Sequence, residues 1–308
     1  MAEKVGGLPG ERNSEGKNIY VESMEKSVES KFNEIAPWVK PGVIIDAAAG
    51  AGPLEIPLGE KFTDSKIIAV DIAPDMVDRL KNRFKGKPNI EVVRANVRDY
   101  VPSEKADTIL HISTLHEVHS ANGRSHLPVM QTLRNDWNNL KEGGRLIIRD
   151  GVQPPPETVF VKPISQFGAE RFPIFVKGFG SVRNVEFKIG EEGNDLKWHE
   201  LKGADTRHLL GSLIRMHSQD VSELLSKYFY SEVNLPIELK EQFGIWTLEE
   251  YKEVLKGLGF SILHAETFIL DYLLKEHYSK DYEIFHLVNG VLSNAPYPPS
   301  TMLLVGEK

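Results

Sequence analysis

The residues best suited to binding chemistry lie early in the chain. An apolar run, Val43-Ile44-Ile45, ends in an acid at Asp46, and Ala47-Ala48-Ala49-Gly50-Ala51-Gly52 follows. Small side chains let a backbone pass close to a ligand. A helix starting just beyond can turn its free N–H groups toward that ligand. A second apolar run, Lys66 to Val70, closes on Asp71. A carboxylate at that place in a strand–helix alternation can accept both hydroxyls of a ribose. A glycine-rich turn alone fits any tight connection between strand and helix. The turn and the two strand-terminal acids together point to an adenosine-containing cofactor.

These residues need a scaffold of strands, and the chain supplies one. Further apolar runs at Ile90–Arg94, Thr108–Ile112, Arg145–Arg149, Ser261–Ala265 and Thr301–Val305 read as strands. Between them, helical periodicity marks Tyr20–Trp38, Met76–Phe84 with Asp75 as its N-cap, Leu127–Leu140, and a helix from Trp246 to Leu258 opened by a Thr247–Glu250 capping box. Strands alternating with helices predict a mostly parallel α/β sheet covered on both faces.

The rhythm lapses over residues 151–245, where helical patches are expected at Thr206–Met216 and Val221–Tyr228, and a helix-like stretch runs from Ile269 to Leu292. The expected plan is a flexible arm at 1–17, a sheet core at 18–150, a largely helical cap insertion at 151–245, and the core resuming at 246–308 with a small helical insertion near 270–300.

The segments Val43–Gly52, Asp71, Asn96–Tyr100, Ala106–His119 and Leu140–Arg149 resemble the class I S-adenosylmethionine-dependent methyltransferases. The resemblance covers about residues 40–150 and 246–308. It implies a Rossmann-like sheet of seven strands and S-adenosyl-L-methionine as cofactor. The family's acid and Gly-x-Gly-x-Gly-like turn fall on Asp46, Ala48, Gly50 and Gly52, with alanine in place of the first glycine. Its ribose-binding acid falls on Asp71, with Ile72 and Met76 beside the adenine. The acid that meets the adenine amino group falls on Asn96, whose side-chain oxygen can still accept that bond. Val97 offers a backbone N–H to the ring, Tyr20 on the first helix can contact the methionine portion, and His111 in the fourth strand completes the cofactor set.

A nicotinamide-binding Gly-x-Gly-x-x-Gly turn is the competing pattern, but its third glycine would fall on Glu55, where strand and helix must pack closely. Methyl transfer is an in-line displacement at a sulfonium, so the enzyme mainly positions the reactants. A base is needed only where the acceptor atom must lose a proton. The resemblance places Ser113–His119 beside the methyl donor. His116, Glu117 and His119, joined by Asp150 at the end of the fifth strand, are the candidates, and helix capping is the plainer role for any of them. His116 and His119 lack the i, i+4 spacing of a zinc-protease helix, and no metal site is expected. Asn294-Ala-Pro-Tyr-Pro-Pro reads as a loop before the last strand.

The chain of 308 residues has 41% hydrophobic and 26% charged residues, enough apolar surface for a folded core. Its 37 Lys+Arg against 44 Asp+Glu leave a net charge of −7, which argues against nucleic acid as a partner. Cysteine is absent, which removes disulfides and thiolate nucleophiles. Neither a signal-peptide core nor a run long enough to span a membrane is visible, so a cytoplasmic protein is expected. The insertion would cover the acceptor site, and its Phe172, Phe175, Phe179, Arg207, His208 and Tyr228 are candidates for an acceptor pocket or for its own core. The expected acceptor is an O or N atom of a small molecule or short peptide. An RNA or protein methyltransferase and a non-catalytic cofactor-binding scaffold are the alternatives. The insertion also offers a surface for a homodimer.

Overall fold

The computed structural model describes residues 12–183, 185–188, 199–200 and 209–308. The chain divides into two compact units. The first contains the chain up to Gly151, Leu248–Glu266 and Met302–Lys308; the second contains Val152–Thr247 and Thr267–Thr301.

The first unit opens with α1 (Ser14–Ile35), capped by Asn13, whose Oδ1 accepts the Gly16 N–H at 2.8 Å. There follow β1 (Val43–Ala47), α2 (Glu55–Lys61), β2 (Lys66–Asp71), α3 (Pro74–Arg83), β3 (Ile90–Arg94), β4 (Ala106–Ile112), α4 (Leu115–Ala121), α5 (His126–Asn139) and β5 (Leu140–Gly151). The second unit supplies β6 (Thr158–Pro163), α6 (Gln166–Phe179), β7 (Glu186–Lys188), β8 (His199–Glu200), β9 (Leu213–His217), α7 (Ser218–Lys227) and α8 (Leu235–Glu238). The chain then returns to the first unit with α9 (Leu248–Leu258) and β10 (Ser261–Phe268), passes through β11 (Tyr282–Val288) and β12 (Val291–Asn294), and ends on β13 (Thr301–Glu307).

The first sheet has seven strands in the order β10-β13-β5-β4-β1-β2-β3. Pairs β1–β2, β1–β4, β2–β3 and β4–β5 are all parallel. Every residue of β1 is buried, and so are Ile67 to Asp71 of β2. Burial on both faces is why these strands read as unbroken apolar runs instead of alternating ones. The chain order reverses direction between β1 and β4, and ligands of open α/β sheets bind outside the strand C-termini at such a switch point. Leu80 and Phe84 seal the α3 side against Ala49 and Ala69. No described helix is long and apolar enough to cross a membrane.

Several expectations need correction. α1 starts at Ser14, so the expected arm ends before residue 17. Asp75 is not the cap of α3: the helix begins at Pro74 behind Ala73, because proline at the first helical position is already set for the turn. The insertion, expected to be largely helical, combines helices with strands among its described residues. It contributes β6, β7, β8 and β9 to a six-stranded sheet in the order β12-β11-β6-β9-β7-β8, which β11 and β12 complete from beyond it. Within the expected helix at Thr206–Met216, residues 206–208 lie outside the described residues and Leu213–His217 is β9. In β9, Ile214 and Met216 are buried while Arg215 is exposed, a period of two. The stretch from Ile269 to Leu292 contains only short helical turns before the β11–β12 hairpin. That hairpin turns at Asn289 (φ 51°) and Gly290 (φ 79°), the Asn-Gly pair that favours two-residue hairpin loops. β11 pairs with β6, so residues 267–301 join the second unit instead of the core. Phe172, Phe175, Phe179 and Tyr228 are buried in that unit's own core; Arg207 and His208 lie outside the described residues.

Leu110, in the middle of β4, is wholly buried, whereas Val101 is 72% exposed. Leu110→Ala should cost about 2–5 kcal/mol, and Val101→Ala should stay within about 0.5 kcal/mol of wild type. Urea denaturation of the two variants measures the contrast.

Candidate active site

The turn after β1 is left-handed three times over, at Ala48 (φ 65°), Gly50 (φ 60°) and Gly52 (φ 78°). A Cβ on Gly50 would sit 2.6 Å from Met24 Cε, and one on Gly52 would sit 2.6 Å from Leu80 Cδ2. Gly52 is therefore demanded by space as well as by φ, whereas Gly50 is demanded by φ, since the flexible end of Met24 can give way. Ala48, in the place of a third, carries the steric cost of an L-residue in that region, on the order of 1 kcal/mol.

Asp71 holds this turn. Its Oδ2 accepts the Gly50 N–H at 2.9 Å and its Oδ1 accepts the Ala73 N–H at 2.8 Å. A carboxylate has about four acceptor positions, so roughly two remain for hydroxyl groups. Burial raises the Asp71 carboxyl, opposed by these N–H bonds. Asp46 is 3% exposed, and burial pushes it up to about 7. Beside it Glu55, the first residue of α2, is wholly buried and lies well above the carboxylate range, first through burial and then through the Asp46 charge.

On the other side of the switch point, Asp150 ends the buried part of β5. Its Oδ2 accepts N–H bonds from Thr114 (3.0 Å), Leu115 (2.7 Å) and His116 (3.3 Å), and its Oδ1 accepts the Gly151 N–H (2.7 Å). His116 Nδ1 meets Oδ1 at 2.5 Å. Burial alone would raise this carboxyl. His116 and the N–H donors outweigh burial and hold it below its usual range. An ionised Asp150 only accepts, so Nδ1 of His116 carries the proton toward it and Nε2 is the basic nitrogen. Thr114 ties the two sides together by donating its hydroxyl to the Ala47 carbonyl at 3.0 Å.

The remaining expected residues divide. Tyr20 donates to Glu117 Oε1 at 3.3 Å, which brings α1 to α4. Ile72 follows Asp71 directly, and Met76 packs with Val21, Ala51 and Ala73 under the turn. Asn96 Oδ1 accepts the Arg98 N–H at 3.1 Å, closing the loop after β3, and the Val97 carbonyl accepts from Asn135 at 3.3 Å. His119 is buried and stacks on His126 at 5.3 Å instead of joining the His116–Asp150 pair. His111 lies inside the sheet. It is fully buried, with Nε2 2.8 Å from Asp136 on α5; an imidazole inside the sheet needs a polar partner, and the helix supplies it.

Sequence reasoning missed Glu55 as a site residue, although its place at the expected third glycine was the available signal. It also missed Arg149, whose Nε meets Glu34 Oε2 at 2.5 Å and joins α1 to β5.

Residues 44–144 match the family model described as a methyltransferase domain. An ornithine lipid N-methyltransferase of Singulisphaera acidiphila is 31% identical over 64 residues, 20% of this chain and 33% of that protein. A carboxy-S-adenosyl-L-methionine synthase of Erwinia tasmaniensis is 29% identical over 109 residues, 34% of this chain and 42% of that protein. The chain thus spans well under half the length of these curated relatives. A crystal structure of an O-methyltransferase family 2 protein from Planctomyces limnophilus in complex with apigenin aligns with TM-score 0.49 and 15% identity, over 94% of this chain and 60% of that one.

The raised Asp46 carboxyl sets the sign of a pH effect. Between the unfolded-state value of about 4 and the folded value of about 7, the native protein keeps a proton that the unfolded chain has released. Stability therefore falls as pH rises through that window. Asp46→Asn should make this decline shallower in thermal unfolding from pH 5 to 8; an unchanged slope would contradict the assignment.

Proposed function

We propose, from the match of residues 44–144 to a methyltransferase domain and from the site geometry, that the protein moves a methyl group from S-adenosylmethionine to an oxygen or nitrogen atom of a small molecule or short peptide. The observation that carries this reading is the left-handed turn at Ala48–Gly52, held by Asp71, on the same strand-end edge as the His116–Asp150 pair. The residues fit the donor. The glycines let the turn take its left-handed course beside the strand end, Asp71 keeps acceptor capacity for a ribose, and the Asn96 oxygen has a second lone pair for an adenine amino group.

When bound, the donor supplies an electrophilic methyl on a sulfonium that ends as a thioether. The chain's own part is orientation and proton transfer. Asp71 fixes the ribose hydroxyls, Ile72 and Met76 give the adenine an apolar wall, and Val97 offers its backbone to the ring. Asp150 holds His116 in one tautomer and one rotamer, which converts an imidazole into a directed base. As the new bond to the acceptor atom forms, the acceptor's O–H or N–H proton passes to His116 Nε2. Glu117, bonded to Tyr20, helps keep α1 against the site.

Isothermal titration calorimetry with S-adenosylhomocysteine checks the donor assignment. Wild type should bind it, and Asp71→Ala should bind it about 10- to 100-fold more weakly through loss of charge-assisted hydroxyl bonds. Unchanged affinity in that variant would remove Asp71 from the site. With an acceptor found by screening for S-adenosylhomocysteine release, His116→Gln should lower kcat about 100- to 10,000-fold and flatten the acid limb of the pH profile. A variant with full activity would show that no base is needed.

A further inference from the structure

Helix α6 carries Arg171 one turn beyond Phe167, so the two side chains share a face. The Arg171 guanidinium carbon stands 5.0 Å from the centre of the Phe167 ring. Its side chain is only 10% exposed, which holds a permanent charge almost out of water. A guanidinium so placed needs acceptors for its fork of N–H donors. It has one carboxylate, Glu232, whose Oε1 meets Nη2 at 2.6 Å. The Glu232 side chain is 81% exposed, so water competes for that contact. Nη1 is buried and has no hydrogen-bond partner among the described residues. Asp281, the buried carboxylate bonded to Tyr228, is already taken by Tyr228 and Ser165. An unmet buried donor is costly and calls for an acceptor from outside the chain.

The surroundings restrict which acceptor fits. Phe167 is 41% exposed, a large ring left facing water beside the guanidinium. Its centroid lies 5.9 Å from that of Tyr228, and Phe229 meets Tyr228 edge-on at 5.7 Å. Tyr230 and His277 stack on Phe229 at 5.2 and 4.4 Å. Such a row of rings favours a further ring, offset or edge-on. A phosphate would meet the charge and gain nothing from the rings, and a neutral ring would leave the fork unmet. An aromatic carboxylate uses both. We propose that Arg171 heads a small-molecule site in the second unit that binds a planar aromatic carboxylate, with the ligand's ring against Phe167. Glu232 holds the place of that carboxylate in this structure. Binding exchanges the single Arg171–Glu232 contact for a bidentate pair on Nη1 and Nη2. Glu232 loses little on release, because it is already exposed. All of these residues belong to the second unit, so the site stands whether or not the first unit binds a methyl donor.

Calorimetry on the full chain with 2-naphthoate, 2-naphthamide and acetate tests the site, since only the first carries both ring and charge. Wild type should bind 2-naphthoate with a Kd on the order of 0.1–1 mM, and the other two at least about 10-fold more weakly. Glu232→Ala should bind 2-naphthoate about 2- to 5-fold more tightly, because the competing carboxylate is gone. Arg171→Gln should weaken it about 10- to 100-fold. Arg171→Lys should recover only part of that loss, since an ammonium lacks the fork. The Glu232 arm stands even if neither Arg171 variant folds, because Glu232 lies at the surface. Equal affinity for 2-naphthamide and 2-naphthoate, or full affinity in Arg171→Gln, would overturn the charge contact and with it the site. Unchanged or weaker binding by Glu232→Ala would overturn it too, as would no binding of 2-naphthoate by either protein. None of these results touches the methyl-donor assignment.

Discussion

The first unit's site depends on one carboxylate holding one turn. Asp71 leaves the end of β2 and accepts the N–H groups of Gly50 and Ala73. A chain forced into the left-handed region at three of five consecutive residues is strained, and the bond to Gly50 is what pins it. The turn in turn sets where α2 begins and where Met24 can lie. Its spare lone pairs give Asp71 the capacity to serve a ligand while still holding the loop.

Four buried carboxyl groups lie around the strand ends, and burial alone would raise all of them. They part company by the donors each one has. Asp150, with four backbone N–H groups and an imidazole, is held down. Asp71, with bonds from Ala73 and Gly50, is raised despite them. Asp46 and Glu55, facing each other with little support, are raised most, Asp46 to about 7. The same residue type is thus an anion on the His116 side and a proton holder on the α2 side.

The strands and the turn were legible because their residues are buried on both faces or demanded by φ: Val43–Asp46, Lys66–Asp71, Gly50 and Gly52 could hardly read otherwise. The His116–Asp150 pair was half legible. Both residues were candidates, but their contact depends on β5 lying beside β4, which no local pattern states. The partner of His111 was not legible, because an apolar strand does not reveal which helix will offer an Asp136. The second unit was misread as helical largely because its short strands, such as Leu213–His217, carry few period-two repeats, although Asn289-Gly290 was an available hairpin signal.

The central claim is that the left-handed turn held by Asp71 binds the methyl donor. A crystal structure of the protein grown with S-adenosylhomocysteine tests it most directly. The account predicts the ribose hydroxyls on Asp71 and the sulfur facing His116. Density for the ligand anywhere else, or a turn at Ala48–Gly52 left untouched by it, would contradict the account.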